Sequence, residues 1–202
     1  LSSLTRRAAA IALSAAVTAG VALASSTATA AQNNPRVKFT TSAGDIVVEV
    51  YPDKAPKTVE NFLTYVKAKH YDGTIFHRVI NGFMIQGGGY DASYNERPTR
   101  PPIPHEGAVV LEKGGPKNTV GTIAMARTSD PNSATAQFFI NVVDNHRLDP
   151  TPSSPGYVAF GKVVSGMDVV NKIKATPTGP GGPFPTDVPK TPVVIQSATV
   201  VN

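Results

Sequence analysis

The 202-residue chain contains no cysteine. That excludes disulfides, thiolate metal sites, iron–sulfur clusters and cysteine nucleophiles. Tryptophan is absent as well. Charge of one sign is scarce: 19 Lys plus Arg against 14 Asp plus Glu leave a formal +5. No run of five like charges occurs, so the charge pattern gives no support to a nucleic-acid binder. A serine hydrolase would need a nucleophile context such as Gly-x-Ser-x-Gly, and none is present. Gly87-Gly88-Gly89 lacks the following lysine and helix of a phosphate loop and reads as a tight turn. With 41% hydrophobic and only 16% charged residues, the chain is not a charged disordered polymer. Its length suits one domain with a sizeable core.

The longest apolar stretch lies at the N-terminus. Arg6 and Arg7 form a positive n-region, residues 8–24 are almost all Ala, Val, Leu and Ile, and no charge returns until Arg36. Ala28-Thr29-Ala30 is a small-x-small cleavage site. A membrane anchor would want about 20 strongly apolar residues. This run is alanine-rich and ends in Ser, Thr and Gln, so residues 1–30 are expected to be a cleaved export signal rather than a stable anchor. The working domain is then 31–202. Export places it in the periplasm, or secreted to the cell envelope or beyond. An oxidising compartment permits disulfides without requiring them.

Within the domain, residues 37–40 and 46–51 alternate and form a hairpin about the turn at 42–45. Pro56 suits a first helical turn, and Val59, Phe62, Leu63 and Val66 follow as an apolar stripe. Short strands are expected over 74–79, 83–86, 122–126, 137–142, 158–160 and 193–201, with a second helix over 167–173. Pro/Gly-rich stretches at 96–104, 151–156 and 177–192 read as loops. Many short strands and few helices favour a mainly β barrel or sandwich.

Four blocks carry the chemistry: residues 76–89, 121–127, 133–141 and 160–167. Arg78 stands in an otherwise apolar strand, so its charge must reach solvent or a partner. Met84 and Gln86 share one strand face by period two, as do Gln137 and Phe139. An arginine and two glutamines beside Phe and Met make an apolar slot with a few aimed donors. Such a slot suits a neutral, kinked apolar ligand better than a phosphate. His77 falls on the opposite face from Arg78 and reads as structural. Phe138 and Met125 read as core. The residues call for no metal and no cofactor.

In these four blocks, in this order and spacing, the chain resembles the cyclophilin family of peptidyl-prolyl cis-trans isomerases, most closely its exported bacterial members. The resemblance spans residues 36–201. It implies a closed eight-stranded antiparallel barrel capped by two α-helices, and catalysis of isomerisation before proline in exported polypeptides. It makes Arg78 the catalytic residue. It assigns substrate binding to Phe83, Met84, Gln86, Ala126, Arg127, Gln137, Phe139, Leu148 and Tyr157. Three positions depart from the family pattern. Arg127 stands where many relatives have asparagine, Tyr157 where histidine is frequent, and Arg147 where cyclosporin-sensitive members have tryptophan, so tight cyclosporin binding does not carry over. The implied partners are proline-containing peptides and unfolded exported proteins. Nothing in the sequence indicates a subunit interface, so the chain is expected to act as a monomer. Two alternatives stand beside the enzyme: a module that binds proline segments without turnover, and a secreted interaction protein.

Overall fold

The computed structural model describes residues 34–201. The export signal expected over 1–30 lies outside them.

The described residues open with the expected hairpin. β1 (Arg36–Thr41) and β2 (Gly44–Val50) pair antiparallel, with Val37, Phe39, Ile46, Val48 and Val50 all pointing into the core. Their polar faces are tied at the rim, where Arg36 Nη2 lies 3.0 Å from Glu49 Oε2. Helix α1 (Pro56–Lys67) follows and buries Val59, Phe62, Tyr65 and Val66, while Leu63 is only half-buried. Its start has an unusual cap. Ala55 offers no side-chain acceptor and Pro56 has no N–H to satisfy, so the carboxylate of Glu106 does the work from a distant loop. Glu106 accepts from Lys57 N at 3.0 Å, from Thr58 N at 2.7 Å and from Thr58 Oγ1 at 2.7 Å.

The remaining strands are β3 (Thr74–Ile75), β4 (Arg78–Ile80), β5 (Met84–Gly87), β6 (Thr122–Met125), β7 (Phe138–Asn141), β8 (Ala159–Ser165), β9 (Thr178–Gly181), β10 (Phe184–Pro189) and β11 (Val194–Val201). Nine of the strands form one curled antiparallel sheet in the order β3-β11-β1-β2-β8-β6-β7-β5-β4. This corrects the expectation of a closed eight-stranded barrel: the sheet has nine strands and is open, with no ladder between its edges β3 and β4. The physical reason lies in residues 74–80. The single strand expected over 74–79 breaks at Phe76-His77. Its first half pairs with β11 and its second half with β5, so one run of chain supplies both edges.

Inside the curl, Phe39, Phe62, Tyr71, Phe138 and Phe160 form the centre of the core, with Phe39 and Phe138 stacked at 5.2 Å between ring centroids. The Tyr71 hydroxyl is buried but satisfied, donating to the Ala136 carbonyl at 2.8 Å. Helix α3 (Met167–Lys174) buries Val170 and Ile173 against the curled sheet. Between α1 and α3 lies a further short helix, α2 (Gly107–Glu112), where the sequence pattern gave none. The Gly/Pro segment read as a loop contains the hairpin β9–β10, which packs beside β4. Phe184 in this hairpin closes over His77 and Tyr90, at 5.3 and 5.0 Å. No helix of the described residues is long and apolar enough to cross a membrane.

Candidate active site

The register of four strands lays out the site. Arg78 on β4 faces Gln86 on β5, Gln86 faces Phe139 on β7, and Phe139 faces Ala124 on β6. These residues form one row across the sheet, on the face turned away from the main core. Alternation sends their neighbours inward: Val79, Ile85, Phe138 and Met125 all belong to the core. On the outer face a second, smaller apolar cluster gathers Met84, Ala124, Phe139 and Ala159.

This cluster floors a groove of about 170 Å³ lined by Arg78, Phe83, Met84, Gln86, Ala126, Arg127, Phe139, Leu148 and Tyr157. Nine of the ten residues singled out from sequence therefore converge on one groove. The tenth, Gln137, stands just behind the lining and enters through its neighbour: Gln86 Nε2 donates to Gln137 Oε1 at 2.9 Å. That bond fixes the Gln86 amide and leaves its oxygen free to accept. Gln137 has room there only because residue 89 is glycine. A Cβ on Gly89 would stand 2.6 Å from Gln137 Cδ. The preceding Gly88 adopts φ +87°, which turns the chain under the Tyr71 ring.

The three arginines of the region differ in their state. Arg78 is exposed, and among the described residues its side chain makes no hydrogen bond or ion pair, so its donors face the groove unspent. Arg127 is committed to its own loop. Its Nε and Nη2 donate to the Gly156 carbonyl at 3.1 and 2.9 Å, and Nη1 donates to the Thr128 carbonyl at 2.8 Å. Its guanidinium also lies 4.5 Å over the Tyr157 ring, which in turn meets Phe139 edge-on at 5.7 Å. Arg147 sits exposed with its guanidinium 5.1 Å over the Phe83 ring.

Sequence reading missed the device that holds the far wall. Asn118, Asn141 and Asn145 are buried and form a chain of amides. Asn141 Nδ2 donates to Thr122 Oγ1 at 3.0 Å and to Asn118 Oδ1 at 3.2 Å, and Asn145 Nδ2 donates to Asn141 Oδ1 at 2.7 Å. The outer ends of this chain reach the groove walls. Asn145 Nδ2 donates to the Phe83 carbonyl at 2.9 Å, and Asn118 Nδ2 donates to the carbonyls of Tyr157 at 3.1 Å and Leu148 at 3.2 Å. Asp149 Oδ1 anchors the set by accepting from Asn118 N at 2.6 Å. Wall residues from two loops, the β4–β5 turn and the β7–β8 connection, are thus set by one satisfied polar network. The available signal was Asn141, an amide closing an apolar strand, which has to find partners indoors.

His77 is buried against Tyr90 and Phe184 on the side opposite Arg78. Burial, reinforced by the Arg78 charge, lowers its pKa to about 4, so the ring is neutral and away from the groove. His70 and His146 have partners the sequence did not disclose, the Gly88 carbonyl at 3.0 Å and Asp149 Oδ2 at 3.2 Å.

A groove with an apolar floor, polar walls, the guanidinium of Arg78 at its edge and a fixed amide beside it is suited to holding an uncharged peptide and influencing one of its bonds electrostatically. Comparison with known proteins agrees. The family model for "Cyclophilin type peptidyl-prolyl cis-trans isomerase/CLD" matches residues 36–200. The chain belongs to the cyclophilin-type peptidyl-prolyl cis-trans isomerases. It is similar to peptidyl-prolyl cis-trans isomerase B of Escherichia coli K12, with 54% identity over 167 residues covering 81% of this chain and 98% of that protein. Peptidyl-prolyl cis-trans isomerase A of Dickeya dadantii is 48% identical over 190 residues, covering 94% of this chain and 97% of its own. Among solved structures, a cyclophilin-type isomerase of Cryptosporidium parvum, crystallised in the presence of the dipeptide Ala-Pro, superposes with a TM-score of 0.62. It is 27% identical, and the match covers 83% of this chain and 99% of that one. The chain is accordingly an enzyme, a peptidyl-prolyl cis-trans isomerase.

Proposed function

We propose that this isomerase acts on exported polypeptides, accelerating rotation about the bond before proline while they fold outside the cytoplasm, with Arg78 as its catalytic residue. The carrying observation is the row Arg78–Gln86–Phe139 across β4, β5 and β7, with the exposed guanidinium making no ion pair or hydrogen bond among the described residues. The cellular part of the reading rests on the charged, alanine-rich leader with its Ala28-Thr29-Ala30 site. It places the mature chain in the periplasm or secreted at the cell envelope, without a stable anchor, working on unfolded proteins by their proline segments.

The reaction breaks no bond. The barrier to rotation, roughly 18–20 kcal/mol, comes from amide resonance. Uncatalysed exchange takes tens to hundreds of seconds. Bringing it to milliseconds needs about five decades, or roughly 7 kcal/mol. In the twisted state the imide nitrogen loses resonance and gains a lone pair. A fixed cationic donor beside that nitrogen is more favourable there than in either planar state. Arg78 supplies such a donor without giving up a proton. Phe83, Met84, Phe139 and Leu148 hold the proline ring by burial. Gln86, fixed by Gln137, and the strand end at Ala126-Arg127 hold the flanking backbone while the other half turns. The apolar floor excludes water and so strengthens the guanidinium's field. The three departures at Arg127, Arg147 and Tyr157 leave this set intact, while Arg147 in the tryptophan position makes cyclosporin binding weak.

Cis-to-trans exchange in an Ala-Pro-Phe peptide tests the enzymatic part. Fast exchange is expected from the full chain, with at least a tenfold loss in kcat/KM for Arg78→Ala. Saturable peptide binding without acceleration would instead mark a binding module. Cell fractionation and the mass of the mature N-terminus test the export part, and a chain retained in the cytoplasm with its leader intact would refute it.

A further inference from the structure

The groove is unusually one-sided in charge. Its lining includes Arg78 and Arg127 and no carboxylate. Arg147 adds a third cation at the rim, stacked on the Phe83 ring that forms the groove wall. The two nearest acids in its segment are spent elsewhere. Asp149 Oδ1 accepts from Asn118 and its Oδ2 faces His146 Nδ1, and Asp144 Oδ1 accepts from Val120 N at 2.9 Å. The hydrogen bonds of Arg127 to Gly156 and Thr128 use its donors but not its charge.

From this we infer that the site selects proline segments bearing an acidic side chain close to the proline, and that Arg147 is a specificity-determining residue for them. The inference rests on the isomerase reading of this same groove. Arg78 is held for the rotating bond, and Arg127 is tied to its loop. Arg147 is the cation with an open approach, exposed at the rim with its guanidinium 5.1 Å over the Phe83 ring. A carboxylate beside the proline ring is attracted by all three charges and can be met directly by Arg147. A lysine at the same place is repelled by all three. Contacts between exposed charges are weak, so exchanging Lys for Glu changes kcat/KM by about three- to tenfold.

The test uses the full chain and proline peptides that differ only in the residue before proline, or only in the residue after it: Glu, Gln or Lys. The readout is the Glu-to-Lys ratio of kcat/KM at low and at high salt. At low ionic strength, Glu should exceed Lys by about three- to tenfold at one of the two positions. The preference should shrink toward parity at about 0.5 M salt, where charges are screened within a few ångström. Arg147→Ala should lower the ratio at least twofold, and Arg147→Glu should bring it to one or below. A wild-type ratio within twofold of one at both positions overturns the inference, as does a ratio that Arg147→Glu leaves unchanged. Failure to accelerate any of the peptides would instead overturn the isomerase reading, and the inference with it.

Discussion

His77 gives the structure a pH-dependent stability. Its ring is only 3% exposed, packs against Tyr90 and Phe184, and among the described residues its buried Nδ1 has no hydrogen-bond partner. Desolvation, with the Arg78 charge next door, lowers its pKa from the ordinary 6.5 to about 4. In the unfolded chain the same ring takes up a proton near its ordinary value. Between the two values the unfolded state therefore binds more protons, and stability rises with pH. The contribution is complete above about pH 6.5 and is lost as pH falls toward 4. The gap between the values corresponds to about 3 kcal/mol, of which about 2 kcal/mol is gone by pH 4.5. His70 and His105 are also lowered by burial and act in the same direction, so the difference between two proteins is the clean quantity. His77→Phe keeps an aromatic ring between Tyr90 and Phe184 and removes the titration. Urea unfolding of wild type and variant at pH 7 and pH 4.5 should show the wild type losing about 2 kcal/mol more than the variant. Isomerase activity at pH 7 should be retained in His77→Phe within about twofold, because the ring faces away from the groove. Parallel losses in the two proteins would refute the buried neutral histidine.

Other consequences follow from the same geometry. Gly89→Ala places a methyl group 2.6 Å from Gln137 Cδ, so it should displace Gln137, free Gln86 and cut kcat/KM about tenfold; an unchanged rate with a folded protein would mean the Gln86–Gln137 bond is idle. Asn141→Ala removes the middle of the amide chain and leaves buried partners unpaired, which should cost about 2–4 kcal/mol in urea unfolding. Glu106→Ala uncaps α1 from outside and should lower stability by about 1–3 kcal/mol while the peptide KM stays constant. Because Arg78 keeps its charge and His77 is already neutral, kcat/KM should be flat from pH 6 to 9, and a bell-shaped profile would point to a general acid or base instead.

How much of this was legible in the sequence depends on the range of the forces involved. Period two correctly assigned Phe138 and Met125 to the core and Met84, Gln86 and Phe139 to the other face, because alternation is a local property of strands. The stripe Val59, Phe62 and Val66 located α1 for the same kind of reason. The break at Phe76-His77 was not legible, since both halves have strand-like composition and only their different partners separate them. The hairpin β9–β10 hid behind its prolines and glycines. Its pairing involves few residues, with Phe184 opposite Gly181 and Val188 opposite Gly179, and its hold on the domain comes from Phe184 meeting His77 and Tyr90 from elsewhere in the chain. Glu106 capping α1 and the Asn118–Asn141–Asn145 chain join segments far apart in sequence, so residue types alone could not pair them. The groove residues were found because the resemblance supplied what local physics lacks, the convergence of four blocks on one face.

The most direct test of the account is the exchange rate of an Ala-Pro-Phe peptide with the wild-type chain, Arg78→Ala and Arg78→Lys, each checked for folding by urea titration. The account predicts fast exchange by the wild type and at least a tenfold loss in kcat/KM for the alanine variant. It predicts only partial recovery with lysine, which restores the charge without the planar fork. A folded Arg78→Ala protein that isomerises at the wild-type rate would contradict it.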